Sequence, residues 1–385
     1  MFWHEYDLLH GLRNCPEVLA RAETVTGSEL AAQQTLRREF PDELVRAALT
    51  LVDLRRKARA KFDDADRLWL DRQGLEQATA DPVARHKAQR FSGLTWDYCS
   101  GIGSDARALA ARGTCIAVDA NPAQCLRAKW NAEANPPAAR PINVCAKVEQ
   151  LTDRSGLLHI DPDRRPGGSA RVVRIEDYVP GLEFLERMTQ EFAGGAIKLS
   201  PASNFGGKFP QAEVELISLN GECKEATIWF GSLTGPHLWR ATVLPSGETI
   251  AGHPLDEVAD VRPLGSFIFD PDPAVTRAGL LDVTAVRLQL GRLDGEEEYL
   301  TGDSPCPSPF VQGFEVLAEL PNNPRAIRNW FRTSDIGQIE IKCRRIPVAI
   351  DTLRRQIPLP GDMPGVLIFA RLAGKARAVV CRRAE

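Results

Sequence analysis

From about Leu94 onward, short apolar runs alternate with stretches of helical periodicity, and this alternation limits the possible folds more than any other feature. Each of five successive runs is followed by a turn or a helical stretch: LTWDYC, TCIAVD, INVC, LLHID and GAIKLS. Strands that alternate with helices form a parallel sheet through right-handed crossovers. Two more runs, at 212–219 and 225–231, are joined by a turn containing Asn220-Gly221, which predicts an antiparallel hairpin at the sheet edge. The sequence therefore predicts an α/β fold with a doubly wound sheet.

The chain has 385 residues, which is long for one compact core, and its patterns change along its length. We expect four parts with these bounds: an N-terminal helical region at 1–90, the sheet domain at 91–245, a linker at 246–265 and a basic α+β module at 266–385. Residues 41–61 carry apolar side chains at helical spacing, with Asp42 as the expected N-terminal cap. The last part predicts helices at 273–290, 324–333 and 347–356, followed by a final hairpin.

Charge is distributed unevenly along the chain. The whole sequence has 48 Lys and Arg against 51 Asp and Glu, a net charge of -3 that indicates no particular partner. Residues 321–385, however, contain 13 Lys and Arg against 5 Asp and Glu, a local excess of +8, which leaves -11 on residues 1–320. A basic end on an acidic body is typical of an electrostatic contact with nucleic acid. Chance clustering on a solvated surface explains the charges equally well.

Composition excludes several other classes of protein. The chain is 43% hydrophobic and 26% charged, as globular proteins are, and no stretch approaches the roughly 18 apolar residues of a membrane span. The N-terminal sequence MFWHEYDLLHGLRN lacks the apolar run of a secretory signal. Nine scattered cysteines form no C-x-x-C pair, and the six His never flank a carboxylate at i, i+4 spacing. These features predict a reduced, cytoplasmic setting and disfavour a metal site.

A glycine-containing segment at 96–105, WDYCSGIGSD, follows the first predicted strand. Gly101 and Gly103 have the G-x-G spacing that lets a ligand approach the backbone, and the next helix presents free N–H groups and the positive end of its dipole. Sixteen residues after Gly103, the second strand ends at Asp119. An acid there suits the two hydroxyls of a ribose. The segment predicts a cofactor site of Rossmann-like geometry.

Two classes of cofactor fit this geometry. Gly101, Gly103 and Ala106 satisfy the dinucleotide fingerprint G-x-G-x-x-G/A. Asp97 lies four residues before Gly101, where a carboxylate sits awkwardly beside a pyrophosphate. The same carboxylate suits S-adenosylmethionine (SAM), because SAM carries a sulfonium and an ammonium and no phosphate. We therefore favour SAM over NAD. The remaining alternative is a glycine turn that binds no ligand. In that case the two acids at the strand ends, Asp97 and Asp119, would be there by chance.

The segments DYCSGIGSDARALA and IAVDANP resemble motifs I and II of class I SAM-dependent methyltransferases. They look most like the subgroup with D-x-x-C-G-x-G, which includes trimethylguanosine synthases and often has Cys where this chain has Ser100. Further segments extend the likeness, in chain order: GLEQAT at 74–79, DPDRR at 161–165, KLSP at 198–201 and YLTGD at 299–303. With them the chain, from about residue 60, is similar to bacterial methyltransferase-like proteins that carry a THUMP-like domain at the C-terminus.

The resemblance implies both a cofactor and a partner. It implies SAM as the cofactor, with these residues around it: Thr79, Asp97, Ser100, Gly101, Gly103, Asp119, Ala120 and Glu149. It implies structured RNA as the partner, by analogy with the THUMP modules of RNA-modifying enzymes. One position departs from the family, since Lys147 stands where an acid often contacts the adenine amino group. Glu149 is the expected substitute.

The DPDRR segment at the end of the fourth strand is expected to face the transferred methyl group, because ligands bind at the carboxyl ends of such strands. The residues predicted for this transfer site are Asp161, Pro162, Arg164, Arg165 and Lys198. Asp161 could accept a hydrogen bond from a substrate N–H, and the arginines could stack on a base or bind phosphate. The alternatives are a turn whose arginines pair with local acids and, for Lys198, a surface side chain. The aromatic residue usual here in amine-methylating nucleic-acid enzymes is missing.

Together these features predict a cytoplasmic SAM-dependent methyltransferase that acts on RNA, with the basic module holding the substrate. Two alternatives stay open. One is a non-catalytic RNA-binding protein that keeps the fold, as Lys147 and the missing aromatic residue would suggest. The other is a methyltransferase for a small molecule, in which the basic module takes no part in catalysis. The sequence indicates neither the methylated atom nor an oligomeric state.

Overall fold

The computed structural model describes residues 2–164 and 173–384. The contacts of the chain form two compact units, one of Met1–Ala212 with Ala226–Gly235 and one of Glu213–Glu225 with Pro236–Glu385. This grouping differs from the four parts expected from the sequence, because the N-terminal helices share a unit with the parallel sheet. The four-part division by sequence pattern stays a prediction.

The regular elements are short and numerous. The helices are α1 (Phe2–Asn14), α2 (Pro16–Thr24), α3 (Glu29–Leu36), α4 (Asp42–Ala58), α5 (Arg72–Gln77), α6 (Asp81–Ala88), α7 (Ser104–Ala110), α8 (Pro122–Asn131), α9 (Leu182–Glu191), α10 (Pro273–Arg277), α11 (Leu281–Arg287), α12 (Pro324–Phe331) and α13 (Ile350–Gln356). The strands are β1 (Thr95–Tyr98), β2 (Cys115–Asp119), β3 (Ile142–Cys145), β4 (Leu157–Ile160), β5 (Gly194–Leu199), β6 (Glu213–Leu219), β7 (Glu222–Gly231), β8 (Trp239–Leu244), β9 (Glu248–Gly252), β10 (Phe267–Pro271), β11 (Gly291–Arg292), β12 (Leu300–Gly302), β13 (Val311–Pro321), β14 (Ile336–Cys343), β15 (Met363–Leu372) and β16 (Lys375–Arg383). Within the described parts of the chain, no helix combines the length and the apolar character that crossing a membrane requires.

The N-terminal helices α1–α4 pack around one apolar core. Val45 and Leu51 of α4 lie in this core. With the other buried apolar residues of the helix, they recur every three to four residues along one face, as the periodicity predicts. The expected cap is wrong by one residue. Pro41 is the N-cap and Asp42 is the first helical residue, where its carboxylate still favours the positive end of the helix dipole.

The first unit contains a sheet with the strand order β3-β2-β1-β4-β5-β7. The first five strands are parallel, and β7 runs antiparallel to β5. Helix α7 connects β1 to β2, and its Ala106 and Leu109 share a buried cluster with Ala117 of β2. Parallel strands in this order with helical crossovers are the Rossmann-like arrangement that the sequence predicts. The fold class is confirmed.

The turn before β7 has the backbone that its sequence requires. Asn220 and Gly221 both have positive φ, 53° and 77°, as the two-residue turn of a twisted hairpin needs. Strand β6 pairs in parallel with β8, and β8 pairs antiparallel with β9. Strand β9 lies inside the segment expected to be a linker. That segment is therefore not wholly irregular, because its Pro245-Ser246-Gly247 turn folds the chain back on β8.

The C-terminal part of the second unit forms a seven-stranded sheet in the order β11-β12-β10-β13-β16-β15-β14. The β14–β15 pair is parallel, and the hairpin of β15 and β16 ends the chain as predicted. Helices α12 and α13 bury Ile327 and Leu353 in one cluster with Leu367 and Phe369 of β15. The alternate residue Ile368 belongs to a different cluster. Both helices therefore cover the same face of the sheet.

The single helix expected at 273–290 is wrong, and two short helices, α10 and α11, take its place. Gly279 lies between them with a φ of 71°, in the left-handed region that ends a helix. The helices expected at 324–333 and 347–356 correspond to α12 and α13, each shorter than expected.

Candidate functional site

Four acidic or basic side chains come from the carboxyl ends of neighbouring parallel strands in the first unit. Asp97 lies in β1, Asp119 is the last residue of β2, Asp161 directly follows β4, and Lys198 is the penultimate residue of β5. Because β1 lies between β2 and β4, and β4 pairs with β5, these residues meet along one edge of the sheet. This edge is where an open α/β sheet binds its ligand.

Asp97 is bonded to a histidine on the adjacent strand. Asp97 and His159 are register partners on β1 and β4, and the Asp97 Oδ1–His159 Nδ1 distance is 2.6 Å. Both side chains are only 1% exposed. Burial raises the pKa of Asp97, and the hydrogen bond from His159 opposes that rise. The second oxygen, Oδ2, is buried and has no hydrogen-bond partner among the residues that the structure describes.

The histidine continues into a buried polar chain. His159 Nε2 is 3.2 Å from Lys87 Nζ, and Lys87 Nζ is 2.9 Å from Asp105 Oδ1. An ammonium can only donate, so Nε2 accepts from Lys87 and the ring proton is on Nδ1, where it is donated to Asp97. Thr79 Oγ1 donates to Asp105 Oδ2 at 2.6 Å. Thr79, predicted to contact the cofactor, is thus buried and bonded to Asp105.

The aspartate at the other end of this chain is strongly stabilised as a carboxylate. Burial alone would raise the pKa of Asp105, but the positive charge of Lys87 outweighs burial, and the charge of Lys198 and the hydrogen bond from Thr79 act in the same direction as Lys87. The pKa of Asp105 is therefore held well below its usual range. Asp105 lies in the first turn of α7, the helix after the glycine loop, so the charge chain connects β1, β4, α6 and α7.

The glycine loop has the backbone that only glycine adopts easily. Gly101 and Gly103 have φ values of 52° and 83°. A Cβ added at Gly101 would meet no atom within 4 Å, so open space lies beside the backbone there. At Gly103 it would lie 3.0 Å from the Cβ of Ala128 on α8. Gly101 therefore leaves room for a ligand, and Gly103 allows close packing of helix α8. Ser100 accepts a hydrogen bond from the Gly103 N–H at 2.9 Å through its main-chain oxygen.

Asp119 ties the end of β2 to the glycine loop. Its Oδ2 accepts from the Gly101 N–H at 2.9 Å, and its Oδ1 accepts from the Asn121 N–H at 2.8 Å. Burial raises the pKa of Asp119, while these two N–H groups oppose the rise. Ala120, the next residue, is exposed.

Cys99 lies among four of the predicted carboxylates. Burial raises the pKa of its thiol well above the usual value, and the nearby charges of Asp119, Asp161, Asp97 and Glu149 raise it further. That the acids at neighbouring strand ends share one anionic cofactor site stays a prediction.

The DPDRR segment is connected to β5 and to helix α5. Lys198 Nζ is 2.6 Å from Asp161 Oδ2 and donates to the main-chain oxygen of Gln77 at 3.0 Å. Gln77 Nε2 in turn donates to Asp163 Oδ1 at 2.9 Å. Pro162 is buried and Arg164 is half-buried. Arg165 lies outside the described residues.

Glu149 and Lys147 are both exposed beside the end of β3. Glu149 lines a cavity of about 640 Å³ together with residues that precede and begin α9, among them Glu176, Glu183 and Phe184. Among residues 2–164 and 173–384, no group of three or more His, Cys, Asp or Glu is placed to hold a metal ion.

Two domain families match parts of the sequence. A family described as THUMP domain-like matches residues 311–383, and a domain family of unknown function matches residues 16–58. The first covers strands β13–β16 with helices α12 and α13, and the second covers helices α2–α4.

The comparison with curated proteins identifies the family of the whole chain. Two sequences from Mycobacterium tuberculosis, strains H37Rv and CDC 1551, are each 34% identical to it over 350 residues, which is 86% of this chain and 94% of theirs. Both are described as uncharacterized S-adenosylmethionine-dependent methyltransferases. The chain belongs to the S-adenosylmethionine-dependent methyltransferases.

The methyltransferase shares its fold with a solved structure over nearly its whole length. A crystal structure of a proposed methyltransferase from Porphyromonas gingivalis W83 matches with a TM-score of 0.74 and covers 96% of this chain and 99% of the other. The two sequences are 18% identical, so this likeness concerns the fold alone.

The cofactor of the methyltransferase is SAM, and the side chains at the strand ends fit its chemistry. The buried Oδ2 of Asp97 has no donor among the described residues, and the space beside Gly101 is open. A cationic ligand with N–H groups would satisfy that oxygen, whereas a pyrophosphate would be repelled by it. The match of these residues to SAM therefore has a physical basis beyond sequence likeness.

Three residues of the methyltransferase site were missed by the sequence reasoning. His159 lies in a strand and Lys87 in a helix whose sequence patterns are ordinary. No local feature of the sequence therefore identifies either residue as part of the site. Gln77 lies inside the GLEQAT segment that carries the family likeness, and its position there was the available signal.

Proposed function

We propose that this methyltransferase methylates RNA, with the nucleophile placed beside Asp161 and Lys198 and the RNA held by its THUMP-like module. The observation that carries the RNA assignment is a group of unpaired arginines on two helices of that module. Three separate parts of the molecule support the proposal: the donor pocket, the acceptor site and this basic surface.

On the donor side, SAM supplies an electrophilic methyl group on a sulfonium. Asp97 Oδ2 would accept a hydrogen bond from the ammonium of the methionine part. The Asp119 carboxylate would give up part of its hydrogen bonding to main-chain N–H groups and accept from the ribose hydroxyls instead. Gly101 provides the open backbone between them. Glu149 is the acceptor for the adenine amino group in place of the acid missing at Lys147.

On the acceptor side, Asp161 and Lys198 orient the nucleophile. Lys198 occupies Oδ2 of Asp161, which leaves Oδ1 to accept from a substrate N–H. The Asp161 side chain is 30% exposed, so a substrate can reach it, while Lys198 is mostly buried. In-line displacement at a methyl group depends on alignment, and a carboxylate fixed by an ion pair supplies a rigid acceptor. Arg164 is available to hold an adjacent phosphate.

The basic excess of the C-terminal part is only partly available to a polyanion. Arg344 is 2.6 Å from Asp270 and 2.7 Å from Glu298, and Arg345 also pairs with Glu298. Burial would lower the pKa of Arg344, but Asp270 raises it above its usual value. The charge of this side chain is therefore already used in ion pairs within the protein. Such arginines are poor candidates for phosphate contacts.

Five other arginines form no ion pair with any described residue. They lie on the helices that cover one face of the C-terminal sheet: Arg325, Arg328 and Arg332 on or directly after α12, and Arg354 and Arg355 on α13. All are exposed except Arg328, which is half-buried. Helices α12 and α13 pack on one cluster and cover the same face of the sheet, and we call these five residues the arginine surface. Unpaired cations on a rigid surface are what counterion release from RNA requires.

The proposal is tested by changing all five residues of the arginine surface to Glu. Binding of total cellular RNA should become at least tenfold weaker and lose most of its salt dependence, while SAM affinity stays within twofold. A matched control makes the same change in net charge at five exposed arginines elsewhere that form no ion pair with any described residue: Arg38, Arg56, Arg67, Arg112 and Arg287. Equal losses in the two variants would mean that only total charge matters, and the RNA assignment to this surface would fail.

A small-molecule substrate is the second candidate, and one observation favours it. The cavity beside Glu149 is lined by Glu176, Glu183 and Glu186 as well, a charge pattern that repels phosphate and suits a cation. Mass spectrometry of RNA nucleosides from cells with and without the gene separates the two candidates. One methylated nucleoside should disappear with the gene, and identical spectra would favour the small-molecule substrate. The cytoplasmic location expected from the sequence stays a prediction.

A further inference from the structure

A second cavity lies among the N-terminal helices and shares no residue with the donor or acceptor site. Its volume is about 420 Å³, within the range of roughly 300–1,000 Å³ that small-molecule sites occupy. One wall is apolar and comes from α1, α4 and the segment before α5: Leu8, Leu12, Leu51 and Leu70. The rest of the lining is polar or charged and includes Glu5, Glu43, Arg46, Asp71, Arg72 and Arg127 of α8.

Arg127 is a buried cation with unsatisfied donors. Its side chain is 4% exposed, and its Nη2 donates to Glu5 Oε1 at 2.6 Å. Its Nε and Nη1 have no hydrogen-bond partner among the described residues. A buried N–H group without an acceptor is costly, and more so when it is charged. Arg127 also lines the cavity, so a small reorientation of its guanidinium would bring one of these donors to an acceptor bound there.

The charge of Arg127, in contrast to its hydrogen bonds, is already balanced. Glu5 is bonded to it, and Asp71 Oδ2 lies 3.5 Å from Nη1. The Asp71 carboxylate is itself held by the Gly74 N–H and by Gln124, each at 2.8 Å. The lining as a whole has three carboxylates, of Glu5, Glu43 and Asp71, and three guanidinium groups, of Arg46, Arg72 and Arg127, so a further anion would meet no excess of positive charge. A neutral acceptor would complete the hydrogen bonds without adding charge.

We propose that this cavity binds a neutral, mainly apolar small molecule that carries a carbonyl-type acceptor. The leucine wall covers the apolar body, and the acceptor oxygen takes a hydrogen bond from Arg127. The site is separate from SAM and from RNA, so it adds a ligand to the function proposed above and does not depend on it.

The site is connected to the acceptor site by one short helix. Asp71 is the N-cap of α5, and Gln77 is its last residue. Gln77 contacts Lys198 and Asp163, as described above. A Cβ at Gly74, within α5, would meet Ile102 of the glycine loop at 2.6 Å, so α5 packs directly on that loop. Asp71, which lines the cavity, therefore belongs to a helix that also contacts the glycine loop and the DPDRR segment.

The test uses ligand-observed NMR titrations of the full chain with two probes of similar size, cyclohexyl methyl ketone and cyclohexanecarboxylate. The ketone should bind, and its Kd should be lower than that of the carboxylate. Tighter binding of the carboxylate would overturn the assignment to a neutral ligand. Absence of binding by both probes would overturn the site itself.

Two variants locate the binding. Arg127→Met keeps the length and removes the donors, and ketone binding should weaken by about fivefold or more. Ala47→Phe fills the cavity from α4 with Arg127 intact, and binding should be lost. Retained SAM affinity shows that each variant is folded. Unchanged ketone binding by a folded Ala47→Phe protein would place the probe elsewhere and refute the proposal.

Discussion

Asp97 and His159 lie opposite each other on adjacent parallel strands, with Oδ1 and Nδ1 2.6 Å apart. One oxygen of Asp97 is thus bonded within the protein, and the other, buried and without a donor among the described residues, is the acceptor that we propose for the ammonium of SAM. His159 donates because Lys87 occupies its second nitrogen. Its role is to position Asp97 and to preserve its charge in a buried place.

Replacing His159 should therefore destabilise the protein and weaken cofactor binding together. His159→Leu leaves Asp97 and Lys87 buried without their shared partner, which should cost about 3–5 kcal/mol of unfolding free energy. Chemical denaturation followed by circular dichroism measures the loss. His159→Gln offers a donor and an acceptor and should recover part of it. A His159→Leu protein of unchanged stability would show that the chain of contacts is not energetically coupled.

The affinity for SAM or its demethylated product should fall as the pH is lowered, beginning above the usual range of an aspartate. The pKa values of Asp119 and Asp97 are both raised by burial, so each takes up a proton at a higher pH than a free carboxyl does. The protonated forms lose acceptor capacity for ribose and ammonium. Calorimetry between pH 7 and pH 4.5 should show this fall, and Asp119→Asn should show a shallower one that Asp97 alone causes. Constant wild-type affinity across that range would contradict the proposed roles.

Removing the Lys198 ammonium should affect turnover more than donor binding. Lys198→Met frees Asp161 and Gln77 from their common partner, so kcat should fall by about 100-fold as alignment is lost. SAM affinity should stay within twofold. Lys208→Met is the matched control, because Lys208 forms its ion pair with Glu176 in the same unit. Comparable losses of kcat in both variants would remove Lys198 from the acceptor site.

A single methyl group at Gly101 should interfere with SAM far more than with folding. Ala at this position meets open space, although its φ of 52° costs about 1 kcal/mol. The methyl group would occupy the space next to the ligand, so SAM affinity should fall at least tenfold. Gly221→Ala makes the same change at a positive φ with open space, in the turn before β7. Equal SAM affinity in the two variants would show that the ligand does not approach Gly101.

The parallel sheet and the ends of its strands could be predicted because their signals are local. Alternating patterns, a G-x-G loop and acids at strand ends depend on short stretches, and Asp97 and Asp119 follow from them directly. His159 and Lys87 could not be predicted, since their meaning arises only when β4 and α6 are brought against β1. Gln77 lies in the GLEQAT segment that carries the family likeness, but its contacts, 86 and 121 residues away, could not be predicted from that segment.

Errors in the secondary structure have equally physical reasons. The pattern over 273–290 is continuous in apolar residues, and a single left-handed glycine at position 279 divides it. Strand β9 lies in a segment rich in turn residues, and its pairing with β8 outweighs its weak strand pattern. The basic C-terminal part was read by its net charge, which could not reveal that Arg344 and Arg345 are paired with acids earlier in the chain.

The buried series from Asp97 through His159 and Lys87 to Asp105 also limits how this sequence can diverge. A relative that lost the histidine alone would keep Lys87 paired with Asp105 but would leave the interior carboxylate of Asp97 without its donor. Substitutions at these four positions should therefore be inherited as a set, so that an alignment of homologues shows either all four residues or a joint replacement by apolar ones. Positions 97, 87 and 159 belong to segments that no sequence motif connects. Correlated variation among them would therefore reflect the buried hydrogen bonds of the histidine with the aspartate and the lysine.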